Sequence, residues 1–268
     1  MRRRARPDRG KAVRGLMPSL ADKRIILTGG SGGLGELTAA ALVRAGAEVI
    51  VLSRRSGPER VRHFQADLSS PQGIAGACEI IGREEPDILI NMAGVQHFGP
   101  AEAQSLDALC GSFNVNLVAP VALCRACLPA MRRRNSGQIV NIGSILGSIA
   151  CAHFASYSSA KAGLRAFSEA LRRELVDTAI AVTYVAPRAV RTRMVTPKLQ
   201  AYAEIVGMSI DRPDNIAARI VEAVRRRDKD VYIGFPERVF VRLNAMFPRL
   251  VDVAVARRDR LARSLFVS

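Results

Sequence analysis

The sequence predicts a single α/β domain, organised as a doubly wound parallel sheet of about seven strands with helices on both faces. Three observations carry this. Short apolar runs rich in Ile and Val alternate with stretches of helical period through most of the 268 residues. Those runs are continuously apolar, as strands covered on both faces must be. Neither an internal repeat nor a low-complexity linker divides the chain. The folded unit so defined covers residues 18–234, between a basic, disordered N-terminal extension at 1–17 and a basic, amphipathic, helical extension at 235–268.

Taken in order, strands are expected at 24–28, 48–53, 62–67, 87–91, 138–142, 180–185 and 231–233. Helices are expected at 33–45, 71–84, 101–116, 118–134, 155–177 and 213–227. Only residues 54–61 separate the second strand from the third, whereas a parallel crossover normally needs a dozen or more. The run Ser56-Gly57-Pro58 blocks a helix there, so a shortened loop crossover is expected, leaving one patch of the sheet thinly covered. Uncharged residues 136–160 have the length of a membrane span, but Gln138, Asn141, His153, six Ser and repeated Gly argue against one.

Composition excludes several classes. At 49% hydrophobic and 24% charged, the chain is neither disordered, collagen-like nor a small disulfide scaffold. Five Cys, an odd number, fit a reducing compartment, and a cytoplasmic location is expected. Cys124 and Cys127 are spaced as Cys-x-x-Cys but fall in an apolar helical run, where thiols pack. The net charge is +16 and the pI about 10.8. Residues 1–16 carry seven basic groups against Asp8 and contribute +6 of that charge. They lack the apolar core of a secretory signal, and Met17 marks an alternative start. No base-reading helix, zinc spacing or aromatic platform accompanies the charge, so neither a specific nucleic-acid partner nor a metal is expected.

The chemistry begins at Thr28-Gly29-Gly30-Ser31-Gly32-Gly33-Leu34-Gly35, directly after the first strand and opening the first helix. Glycines there permit a tight turn and let backbone approach a pyrophosphate, while the helix N-terminus offers unpaired N–H groups. The expected fold is therefore Rossmann-type, with Thr28, Gly29, Ser31, Gly33, Leu34 and Gly35 at a dinucleotide. An NAD site would place Asp or Glu at the end of the second strand. This chain has Ser53-Arg54-Arg55, and two guanidiniums suit a 2′-phosphate, so the expected cofactor is NADP(H).

Tyr157 and Lys161 lie four apart on an expected helix and share a face. An ammonium there can stabilise a phenolate, whose ordinary pKa is about 10. Ser144, thirteen residues upstream of Tyr157, follows the fifth strand and so stands at the carboxyl edge of the sheet, where ligands of such folds bind.

Over residues 22–234 the chain resembles the NAD(P)-dependent short-chain dehydrogenase/reductase family. The resemblance rests on Thr28, Gly29, Gly33 and Gly35, on Asp67-Leu68, on Asn91-Met92-Ala93-Gly94, on Asn116, and on Ser144 with Tyr157 and Lys161. It implies that Asp67 and Leu68 contact the adenine, and that Asn91, Ala93 and Gly94 line the cofactor cleft and support the central strand. Pro187, Val190 and Thr192 would flank the nicotinamide. Ser144 would hydrogen-bond a substrate carbonyl, Tyr157 would donate a proton, and Lys161 would hold the nicotinamide ribose while lowering the Tyr157 pKa. Asn116 would anchor a water in the proton relay.

Two departures stand out. Arg188 follows Pro187 where the family often has Gly, and Met92 replaces a frequent Asn. Leu146, Phe154 and Met194, with an apolar segment after Thr192, imply an apolar or lipid-like carbonyl substrate held with Ser144 and Tyr157. The implied activity is reduction of a ketone or 3-oxoacyl-like group. The alternative is a non-catalytic NADP(H)-binding sensor or scaffold of the same fold. Family members commonly pair through helices equivalent to 118–134 and 155–177, so a homodimer or homotetramer is expected. In the family the segment after Thr192 closes over substrate as a lid; for the C-terminal extension, packing on that lid, a subunit contact and peripheral contact with the inner membrane surface stay open.

Overall fold

The computed structural model describes residues 19–59 and 61–266; the expected extension at 1–17 lies outside them. Its strands are β1 (Arg24–Thr28), β2 (Glu48–Ser53), β3 (Arg62–Gln65), β4 (Ile88–Asn91), β5 (Gly137–Ile142), β6 (Ile180–Pro187), β7 (Ala189–Val190), β8 (Ile210–Asp211) and β9 (Asp230–Ile233). Seven form one parallel sheet in the order β3-β2-β1-β4-β5-β6-β9, and β7 with β8 makes a separate two-stranded ribbon. The order reverses direction beside β1, which pairs with both β2 and β4. A crevice opens at the carboxyl ends of the strands at such a switch point.

The helices are α1 (Gly33–Arg44), α2 (Pro71–Glu84), α3 (Leu106–Phe113), α4 (Ala119–Arg133), α5 (Ala155–Glu174), α6 (Pro197–Val206), α7 (Pro213–Arg226), α8 (Glu237–Met246) and α9 (Pro248–Leu261). On one face Leu42 of α1 and Ile216 and Ile220 of α7 pack on Ile25, Val49, Ile90 and Val140. On the other, Ile81 of α2, Leu123 of α4 and Leu171 of α5 pack on Ile26, Leu52, Leu89 and Ile139. Neighbouring residues Ile25 and Ile26 thus enter opposite cores, which is why β1 reads as an unbroken apolar run. Burying each such side chain stabilises the fold by roughly 1.5–3 kcal/mol.

The connection 54–61 contains no helix among its described residues, as its length and Gly-Pro content require. β3 is left at the sheet edge, with Phe64 covered by the guanidiniums of Arg62 and Arg83, 5.6 and 5.4 Å from its ring centroid. β3 also ends at Gln65, short of the expected Asp67.

Two helices were expected at 101–116 and 118–134, and the structure corrects this. A 3-10 turn at Ala101–Ala103 is followed by α3, which runs into α4 through a π turn at Asn114–Val118. The Ala119 N–H donates to the Asn114 carbonyl, five residues back. One extra residue in that turn shifts the phase of the apolar stripe, so the sequence reads as a break. Pro120 supplies the cause: in a regular helix it lacks the N–H for the Asn116 carbonyl and its ring collides with it, and a wider turn relieves both. The joined helix is apolar enough to resemble a membrane span, yet Leu123, Cys124, Cys127 and Met131 are buried in the core. Burial pushes both thiols up, Cys127 to about 12, so the Cys-x-x-Cys pair packs rather than reacts.

Candidate active site

A cleft of about 1030 Å³ runs along the carboxyl edge of the sheet. Its nucleotide end is shaped by glycine. Gly29 has φ +73°, and a Cβ there would lie 2.8 Å from Ala93 Cα; a Cβ on Gly35 would lie 2.1 Å from the Gly29 carbonyl oxygen. Both close approaches exclude any other residue. Thr28 Oγ1 accepts from the N–H groups of Met92 and Ala93, each at 3.0 Å, tying the loop after β4 to the glycine turn. Gly32 precedes α1 and supplies no side-chain cap, so the helix begins with N–H groups aimed at the cleft. This cradle fits a pyrophosphate.

Ser31, Gly33, Leu34, Ala93, Gly94, Leu68 and Asp67 line the same end. Ser69 donates to Asp67 Oδ1 from both its hydroxyl (2.7 Å) and its N–H (3.0 Å), which holds that carboxyl below its usual range. Arg54 and Arg55 are exposed beside them, and neither forms an ion pair with a described residue. Buried Ser53 donates to the Arg55 carbonyl at 2.7 Å and fixes the turn that presents both guanidiniums.

At the other end, Ser144 caps the 3-10 turn Ile145–Gly147: its Oγ accepts from the Leu146 N–H at 3.1 Å. The hydroxyl proton is therefore left for another acceptor. Tyr157 and Lys161 share one face of α5, with Nζ 5.8 Å from the phenol ring centroid. Lys161 donates to the Ile142 carbonyl at 2.9 Å. Burial pushes the Tyr157 phenol up to about 12, against a lowering by Ser144, and pulls Lys161 down to about 8. The expectation that Lys161 acidifies Tyr157 is thus not met in the polypeptide itself, where desolvation dominates and the ammonium is anchored on a backbone carbonyl.

Most expected residues converge here. Ser144, Leu146, Phe154, Tyr157, Lys161, Pro187, Val190, Thr192 and Met194 all line the cleft. Thr28, Asn91 and Asn116 instead stand behind its wall. Asn91 Nδ2 donates to Asn141 Oδ1 at 2.8 Å inside the sheet, so its side chain supports β4 rather than lining the cleft. Asn116, fully buried in the π turn, donates to the carbonyls of Val95 (2.7 Å) and Ser112 (2.9 Å). A Cβ on Gly94 would fall 3.2 Å from Asn116 Oδ1 and 3.8 Å from Lys161 Nζ, so the loop passes close to both side chains and a larger residue would press on Asn116.

Sequence reasoning missed one contributor outright and gave two others only as an apolar segment after Thr192 and a helical extension. Tyr184 donates to the Ser144 carbonyl at 3.4 Å and occupies the space that any side chain on Gly143 would need. The lid helix α6 carries Leu199 and Tyr202 into the cleft wall. Its signal was present: Thr196 caps it, accepting from the Leu199 N–H at 3.2 Å, Pro197 opens it and Gly207 closes it at φ +67°. The C-terminal extension is helical as expected, and its α8 and α9 reach the cleft.

A glycine-cradled Rossmann-type cleft carrying Ser, Tyr and Lys at its reacting end defines a nicotinamide-dependent oxidoreductase acting on CH–OH/C=O groups. The chain belongs to the short-chain dehydrogenase family, whose model matches residues 23–203. It is similar to the ketoacyl reductase HetN of Nostoc sp., 34% identical over 81% of this chain and 80% of that protein. It is also similar to the 3-oxoacyl-[acyl-carrier-protein] reductase FabG of Pseudomonas aeruginosa, 33% identical over 69% of this chain and 81% of that one. A solved short-chain dehydrogenase from Streptomyces avermitilis superposes with a TM-score of 0.72 at 30% identity, covering 90% of this chain and 98% of its own.

Proposed function

We propose that the protein is an NADPH-dependent reductase of an apolar ketone or 3-oxoacyl-like carbonyl, with Tyr157 as proton donor. The observation that carries this is the meeting of Ser144, Tyr157 and Lys161 at one end of a glycine-cradled cleft. Similarity to ketoacyl reductases supports the substrate class. The guanidiniums of Arg54 and Arg55, which have no ion-pair partner among the described residues, support the phosphorylated cofactor over NADH.

Gly29, Gly33 and Gly35 with the first turn of α1 would hold the pyrophosphate, Arg54 and Arg55 the 2′-phosphate, Lys161 the nicotinamide ribose, and Thr192 the carboxamide. When bound, the cofactor supplies the hydride that adds to the carbonyl carbon. Ser144 donates its free hydroxyl proton to the carbonyl oxygen and turns it toward the phenol. Tyr157, kept protonated by burial, gives its proton to that oxygen as negative charge develops there. The Lys161 ammonium then faces the phenolate that remains, until solvent returns a proton. Asn116 acts as a positioning residue through Val95. The test is loss of NADPH absorbance with a panel of ketones and 3-oxoacyl thioesters; a panel without turnover favours a non-catalytic NADP(H) sensor or scaffold.

The proposal includes location. Val239, Met246 and Val253 are exposed on α8 and α9 beside exposed Arg238, Arg242, Arg249 and Arg257, a pairing suited to an anionic membrane surface of the cytoplasm. Co-sedimentation with phosphatidylglycerol but not phosphatidylcholine vesicles is the expected result. It also includes self-association through α4 and α5 as a homodimer or homotetramer, which light scattering on the eluting protein measures.

A further inference from the structure

The cleft runs on past Tyr157 into a space that the sheet and its flanking helices do not enclose. One wall is α6. The facing wall is the C-terminal extension, with Phe240 and Leu243 of α8, the following Phe247, and Val251 of α9. Phe240, Leu243 and Phe247 are 41%, 40% and 50% exposed although they line the cleft, so the described residues leave much of this apolar wall uncovered. Its inner surface is continuous with the catalytic end, which separates it from the outward, arginine-flanked side of the same helices.

The extension is fastened in place by polar contacts at both ends. Arg188 donates to both Asp211 carboxylate oxygens at 2.8 Å and to Glu237 at 3.1 Å, joining β8 beside the lid to the start of α8. Gly234 makes room for it: a Cβ there would lie 2.9 Å from Arg188 Cδ. The residue that departs from the family's usual glycine is therefore the clamp on the extension. Tyr202 of the lid donates to Asp259 of α9 at 2.7 Å, and Asn244 donates to the Ser148 carbonyl at 2.9 Å. Phe266 stacks on His153 with ring centroids 3.5 Å apart.

We propose that α6 and the clamped C-terminal extension form a chain-binding subsite for a long acyl or alkyl chain carried by the reduced carbonyl. This rests on the carbonyl-reductase reading above. An apolar slot continuous with the reacting end selects by chain length. Each further buried methylene contributes about 0.8 kcal/mol, or about fourfold in kcat/KM.

The experiment compares 3-oxobutanoyl and 3-oxododecanoyl thioesters of N-acetylcysteamine with NADPH, in the native chain and in Ala254→Trp and Val251→Trp, whose positions face the slot. In the native chain kcat/KM for the long substrate exceeds that for the short one by about a hundredfold or more. In either variant that ratio falls by about tenfold or more, because an indole occupies the slot. Binding without turnover is read by thermal unfolding, since a ligand that binds only the folded chain raises its melting temperature. The melting temperature of the native chain rises when dodecan-1-ol is added and stays put with butan-1-ol, and the rise is lost in either variant. A flat chain-length profile in an active enzyme, or a native melting temperature that does not rise with dodecan-1-ol, overturns the subsite. Absence of turnover with every thioester counts against the reductase reading instead, and the thermal shift then still decides whether the slot takes a chain.

Discussion

Lys161 Nζ is anchored on the carbonyl of Ile142, the last residue of β5, at 2.9 Å, while it stands 5.8 Å from the ring centroid of Tyr157. The ammonium is therefore held ready for a charge at the phenol without being bonded to the phenol oxygen. Burial lowers its pKa to about 8 and keeps the phenol protonated, which suits the direction in which Tyr157 gives a proton.

That depression has a consequence for stability. A lysine at about 8 in the fold and about 10.5 unfolded binds fewer protons when folded between those values, so its contribution to stability is present above about 10.5 and lost as pH falls through about 8. At about 1.4 kcal/mol per unit, Lys161 costs the fold roughly 3 kcal/mol at neutrality. In urea titrations between pH 7 and 9.5, Lys161→Met should therefore gain most over the native chain at the lower pH, and a difference independent of pH would contradict the burial of a charged amine.

Arg54 and Arg55 face the adenine end of the cleft without an ion-pair partner among the described residues. Charge-assisted hydrogen bonds contribute about 1.5–3 kcal/mol. The double variant Arg54→Ala/Arg55→Ala is expected to reduce the preference for NADPH over NADH by about a hundredfold, measured as a ratio of dissociation constants by fluorescence titration. An unchanged ratio places the selectivity elsewhere.

Gly143 admits the Tyr184 ring: a Cβ there would lie 2.1 Å from its hydroxyl oxygen and 2.3 Å from a ring carbon. Both are buried, so Gly143→Ala forces a shift costing about 1–3 kcal/mol and moves Ser144 with it. Chemical denaturation should show that loss together with a fall in kcat. Native stability in this variant would show that Tyr184 can move freely.

The sheet was legible because β1, β2 and β4 are buried on both faces and carry little but Ile, Leu and Val. The glycine turn, Ser144, Tyr157 and Lys161 were legible because their chemistry depends on local spacing around a strand end and a helix face. The break expected at Leu117 was a phase slip made by a π turn under Pro120, which period counting cannot distinguish from a gap. The lid helix carries its start and stop in the sequence, Thr196-Pro197 and Gly207, whereas its apolar composition alone gives no element. For α8 and α9, amphipathic spacing gives a buried side without saying against what. The clamp at Arg188 joins residues 188, 211 and 237, which no local pattern relates.

The central measurement is Tyr157→Phe, assayed for both NADPH binding and carbonyl reduction. Removing the phenol proton while keeping the ring should lower kcat by about 10²–10⁴ and leave the NADPH dissociation constant within a few fold, the size usual for loss of a general acid. A phenylalanine variant that still reduces the carbonyl at the native rate would contradict the assignment of the proton to Tyr157.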